Sequence, residues 1–91
     1  MQVAQVAHDG LGLAAAMASD GNPNSVTDAG VGAMCLRTAV LGAVLNARIN
    51  CGDLEDADYV AQIQSRCAQL VASAIHQEGE VLATVDRVMA G

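Results

Sequence analysis

The stretch Asp20-Gly21-Asn22-Pro23-Asn24-Ser25-Val26-Thr27-Asp28 decides how the chain is divided, because it is the sharpest break in an otherwise helical pattern. Gly21 can take the left-handed conformation that closes a helix. Pro23 forbids continuation and pushes Asn22 towards extended geometry. Asn24 or Ser25 then offers an N-cap, with Asp28 three residues beyond Ser25 as an acidic group in the first turn, where the helix dipole favours negative charge.

Working outward, no strand-like alternation appears on either side, and Ala is the commonest residue. The expected fold is all-α, with one helical domain over residues 1–91 and helices at about 2–19, 26–50 and 55–89. The first helix has Val3, Val6, Leu11, Leu13, Ala14 and Met17 as its apolar set, and its pattern is already running at Gln2, like a helix entered midway. Asn50-Cys51-Gly52-Asp53 ends the second, and Asp53 or Asp56 can cap the third. The third carries Val60, Ile63, Cys67, Leu70, Ala74, Val81 and Val88 at 3–4 spacing, interrupted by Gln77 and Thr84. At 1.5 Å per residue it would be about 50 Å long. It must bend near Gly79 or be covered by another chain, and the second is favoured.

Composition excludes several classes. The chain has 91 residues, 53% of them hydrophobic, but its only aromatic is Tyr59, so the core must be built from small aliphatic side chains that bury little area each. Four arginines and no lysine face ten carboxylates, for a net charge of −6, which is unsuited to nucleic acid. The longest run without a charged residue is eleven residues, 67–77, against about 18 for a spanning helix, so no membrane segment is expected. No basic n-region marks a signal peptide. Cys35, Cys51 and Cys67 lack metal spacing and read as buried free thiols in a reducing cytoplasm.

On the second helix, at about 100° per residue, Asp28, Gly32, Cys35, Ala39, Gly42, Asn46 and Asn50 fall in one band, small in the middle and polar at both ends. Two readings stay open. The band can be a tight helix–helix contact, with the Asn side chains as interhelical partners, or the floor of a cleft with Asp28 at one end. The opposite side holds Val40, Leu41 and Val44 with Arg37 and Arg48, so the helix is apolar nearly all round and should be central.

The run from Gly21 to Ala33 resembles the GNPNSVSDAGVAA-type signature of the formiminotransferase-cyclodeaminase and methenyltetrahydrofolate cyclohydrolase family. The likeness continues through Ala39, Gly42, Ala43 and Asn46 to Arg48-Ile49-Asn50, similar to that family's GAxxNVRIN stretch, and extends over essentially the whole chain. Family members have longer all-helical domains, usually dimeric, whose N-terminal half carries PGGGS-type and DxxAF-type motifs. This sequence resembles the C-terminal half. The resemblance implies a tetrahydrofolate derivative as substrate, no metal, and either cyclodeaminase chemistry (closure of 5-formiminotetrahydrofolate with loss of ammonia) or cyclohydrolase chemistry (hydration of the methenyl carbon).

Carried over by motif position, Asn22, Asn24, Ser25, Asn46 and Asn50 would line the folate site, and Asp28 would serve proton transfer or a hydrogen bond to the pterin. His8, beside Asp9, is expected to be an exposed or capping residue in preference to a proton shuttle, His76 a solvated one, and Tyr59 a packing residue. Two functions follow: a folate one-carbon enzyme that is truncated and weakly active or inactive alone, or a non-catalytic helical module that homodimerises through its apolar faces.

Overall fold

A computed structural model describes residues 2–18 and 23–90, with side-chain surroundings given for 3–16 and 25–90. Gly21 and Asn22, and the side chains of Met17 and Asn24, lie outside the described residues. Three helices form: α1 (Gln2–Ala18), α2 (Pro23–Cys51) and α3 (Ala57–Ala90). All three pack on one another. Gly10 meets Leu36, Arg37 meets Glu78 and Gly30 meets Val85, whereas Gln5 and His8 reach Arg66 and Ser73. The order of these pairs makes α2 antiparallel to both α1 and α3, an up-down-up bundle.

The starts and stops have local causes. α2 begins at Pro23, a position where the missing N–H would have had no helical partner anyway. This corrects the expected cap: Asn24 and Ser25 are the second and third residues of the helix, and Asp28 falls beyond its first turn. Arg48 sits in the last turn of α2, where the dipole favours a cation. The helix closes through Gly52 N–H to the Ile49 carbonyl at 3.1 Å and Leu54 N–H to the Cys51 carbonyl at 3.1 Å. Of the two candidate caps for α3, Asp56 is the one used: its Oδ1 accepts from the Tyr59 N–H at 3.0 Å.

α3 runs without interruption through Gly79, so the bend considered there is not a break in the helix. Its 34 residues set a rod of 54 × 15 × 15 Å. The radius of gyration is 15.4 Å, against about 12 Å for a compact domain of this length.

The core is narrow and small-chained. α3 contributes Cys67, Leu70, Ala74 and Val81 as its spacing predicts, together with Val85, which that row omitted, while Val60, Ile63 and Val88 are only half-buried; α2 contributes Val26, Ala29, Ala33, Val40 and Val44. α1 matches expectation at Leu11 and Ala14 and departs from it elsewhere. Its buried row is Ala4, Ala7, Leu11 and Ala14, while Val3, Val6 and Leu13 face outward. Both rows satisfy helical spacing, but the alanine row lets α1 lie close to its neighbours, with Leu36 over Gly10. Side-chain size misidentified the face. Cys51 and Cys67 are buried as expected, Cys35 is exposed, and none of the three is in a disulfide.

Among the described residues, Ser25–Cys51 is by length and composition apolar enough to cross a membrane. Run length does not register this, because Asp28, Arg37 and Arg48 interrupt the segment. The core helix of a bundle passes the same criterion, and here Val26, Ala29, Ala33, Val40 and Val44 pack against α1 and α3.

Candidate functional site

The band read from spacing on α2 lies on the outside of the bundle. Asp28, Cys35, Ala39, Gly42, Asn46 and Asn50 are exposed and Gly32 is half-exposed. A Cβ added at Gly32 or Gly42 would meet nothing within 4 Å. The interhelical partners considered for Asn46 and Asn50 are therefore not supplied by α1 or α3. Beside the band run four large apolar side chains: Val31, Met34, Leu45 and Ile49, at 57%, 43%, 59% and 73% exposure. The outward face of α2 is thus an apolar strip with a small, polar-ended stripe along it.

The predicted site residues form two groups. Ser25, half-buried, and Asp28, exposed, belong to the start of α2, beside the motif positions Asn22 and Asn24. Asn46 and Asn50 stand at its other end, about 27 and 33 Å from Asp28 at 1.5 Å per residue. They share a face but not a neighbourhood. No single pterin ring can touch both groups on one copy of α2.

The larger groove is elsewhere. About 670 Å³ lies between α2 and α3, lined by Val44, Arg48, Gln64, Cys67, Val71 and Ile75 among others, and none of the predicted site residues borders it. A smaller hollow of about 460 Å³ is walled by Val3, Val6, Ala7 and Leu36.

Three polar links between helices went unread in the sequence. Arg37 Nε donates to Glu78 Oε2 at 2.8 Å, both partly buried. The available signal was Arg37 itself, the only charge between positions 29 and 47. Arg66 donates to Gln5 Oε1, and Gln5 Nε2 donates to Asp9 at 3.0 Å. His8 is neither exposed nor a cap. It is half-buried, its Nε2 sits 2.6 Å from Ser73 Oγ, and its Nδ1 is buried without a hydrogen bond, 3.9 Å from Asp9. Nothing in local spacing pairs positions 8 and 73. Gln77, one turn after Ser73, also buries an unbonded Oε1. His76 is solvated as expected, 2.8 Å from Glu80, whereas Tyr59, expected to pack, is exposed. Among the described residues no three of His, Cys, Asp and Glu gather as metal ligands.

These features define an all-helical module with an open, polar-ended helix face. The chain belongs to the formiminotransferase-cyclodeaminase family, whose model matches residues 1–69. That match takes in α1, α2, the turn to α3 and every predicted site residue. It stops at Gln69 and so covers less than the whole-chain likeness expected from the motifs. No curated protein and no solved structure was found to match the chain.

Proposed function

We propose that the outward face of α2 handles a one-carbon unit carried by tetrahydrofolate, in cyclodeaminase or cyclohydrolase chemistry. The observation that carries this reading is that the family match includes the entire α2 face on which Asp28, Asn46 and Asn50 are exposed together. Asp28 is the proposed proton-transfer group or pterin hydrogen-bond partner. Asn22, Asn24 and Ser25 line the same end of the helix in this proposal, and Asn46 and Asn50 supply amide donors and acceptors. The small residues between them leave room for a flat ligand. Both reactions need a slot shielded from water, and an open helix face has only one wall. Activity therefore depends on a second surface closing over α2, and one copy alone is weakly active or inactive.

We read α2 as a bundle helix and not a membrane span, because Arg37 at its midpoint is held by Glu78. Location in a reducing cytoplasm suits three cysteines without a disulfide. No metal is assigned to the reaction.

The test uses 5-formyltetrahydrofolate as the ligand and loss of methenyltetrahydrofolate absorbance as the assay. Ligand should raise the melting temperature, and Asp28→Asn should remove any hydrolysis while leaving helicity unchanged. Activity untouched by Asp28→Asn would remove Asp28 from its role. A second reading, a non-catalytic homodimerisation module, is favoured by the four exposed apolar side chains of α2. It predicts association without any response to folate.

A further inference from the structure

Thr38, Ser73 and Thr84 all carry hydroxyls inside helices, and the two threonines behave alike. Thr38 Oγ1 donates to the Met34 carbonyl at 3.0 Å and Thr84 Oγ1 to the Glu80 carbonyl at 3.1 Å, each one turn back on its own helix. Ser73 reaches across to α1, where its Oγ lies 2.6 Å from His8 Nε2. We infer that Ser73 is an activated nucleophile, with His8 as its general base, and accepts the acyl group of a small aryl ester.

The form of the imidazole follows from what surrounds it. His8 Nδ1 is buried, and the Asp9 carboxylate stands 3.9 Å from it. A carboxylate only accepts, so it favours the tautomer with its proton on Nδ1. Nε2 is then the bare nitrogen and faces the Ser73 hydroxyl. When Nε2 takes the hydroxyl proton, the ring becomes a cation at ion-pair distance from Asp9. Asp9 is itself held: Gln5 Nε2 donates to its Oδ1 at 3.0 Å, and Arg66 donates to Gln5 Oε1. Nucleophile, base and orienting acid thus stand in the order that hydroxyl activation requires.

The pair is also reachable. Ser73 is half-buried. Gly12, one turn past His8, has no side chain, and a Cβ there would meet nothing within 4 Å. Gln77, one turn past Ser73, buries an Oε1 that has no donor. Because α1 and α3 run parallel, Gly12 and Gln77 stand at one level, just beyond the His8–Ser73 pair. The acyl group enters there, and the Gln77 carboxamide, turned over, donates its NH2 to the acyl oxygen.

The step balances within these groups. Ser73 Oγ attacks the ester carbonyl and forms the new C–O bond while His8 Nε2 takes the hydroxyl proton. The tetrahedral adduct expels the phenol oxygen, breaking the old C–O bond, and His8 returns the proton to it. Acyl-Ser73 and a free phenol result. Ser73 lies mid-helix, where helical bonds occupy the backbone N–H groups, so no backbone oxyanion hole forms. The leaving group must therefore be a good one, and the acyl group should stay on Ser73. Ser73 and Gln77 lie beyond the residues that the family model matches, and the seam is not the outward face of α2. The inference is independent of the folate reading.

The test adds p-nitrophenyl acetate to the Cys35→Ser chain, in which the exposed thiol is gone. Nitrophenolate should appear in a burst of about one equivalent per chain, and peptide mass mapping should place the acetyl group on Ser73. This readout leaves the seam unaltered and so does not depend on a seam variant folding. His8→Gln should slow the burst about a hundredfold or more with helicity retained, and Ser73→Ala should abolish it. Asp9→Asn should slow the burst without reducing its size, and Asp9→Glu should restore the rate. No burst, or an acetyl group on His76 or the N-terminus with Ser73 unmodified, would overturn the inference. So would acetylation of Ser73 at full rate in His8→Gln.

Discussion

Ala39 and Val40 are neighbours in sequence and opposites in the structure. Val40 is fully buried among α1 and α3, while Ala39 stands in the middle of the outward face. The two faces of α2 are nearly equal in apolar content: Val26, Ala29, Ala33, Val40 and Val44 inside, Val31, Met34, Cys35, Ala39, Leu45 and Ile49 outside. What separates them is that α1 and α3 cover one and leave the other. A helix apolar all round inside a rod of three has one face too many. The surplus face is where Asp28, Asn46 and Asn50 stand.

The largest test of that contrast is a charge placed on either side of it. Val40→Asp should unfold the chain, because an unpaired buried carboxylate costs several kcal/mol against a total stability of about 5–13 kcal/mol for 91 residues. Ala39→Asp should leave the circular-dichroism spectrum and urea midpoint of the monomer nearly unchanged. Equal damage from both would erase the distinction between the faces.

Truncations should come next in size. Leu11→Ala, at the fully buried centre of α1, should lower stability by about 2–5 kcal/mol. Leu45→Ala on the outward face should change monomer stability by less than about 0.5 kcal/mol and show its effect in association instead. Urea titration at low and high protein concentration separates the two.

Smaller effects refine the picture. Asp56→Ala should cost about 1 kcal/mol by removing the cap of α3. Gly79→Ala and Gly42→Ala both enter open space. Each should stabilise an isolated helix by about 0.5–1 kcal/mol. Only Gly42→Ala should also weaken association, because only Gly42 lies on the surplus face. Gly30→Ala should lose most of that gain, since the new Cβ would stand 3.1 Å from Val85 Cγ2.

Much of this was legible in residue spacing. Three helices, the Pro23 break, a cap for α3 at Asp53 or Asp56 and most of the α3 core row all follow from local rules that act within a turn or two. The motif residues also pointed to the family whose model matches 1–69. Burial was less legible where two rows of one helix were equally apolar. On α1 the alanine row won over Val3 and Val6, because close approach favours the smaller side chains. On α2 the band from Asp28 to Asn50 was correctly drawn as a stripe, but spacing cannot say whether a neighbour covers it. His8 with Ser73 and Arg37 with Glu78 depend on how helices lie side by side, which no single-helix pattern contains.

The central claim is that the outward face of α2 is a ligand face and not merely an uncovered one. The most direct measurement is the melting temperature of the chain as 5-formyltetrahydrofolate is added, repeated for Asp28→Asn. Ligand at ten times its dissociation constant should stabilise the protein by about 1.4 kcal/mol, a rise of several degrees for a domain of this size. Asp28→Asn should need markedly more ligand for the same rise. An unchanged melting temperature at millimolar ligand, in a protein that is folded, would contradict the claim.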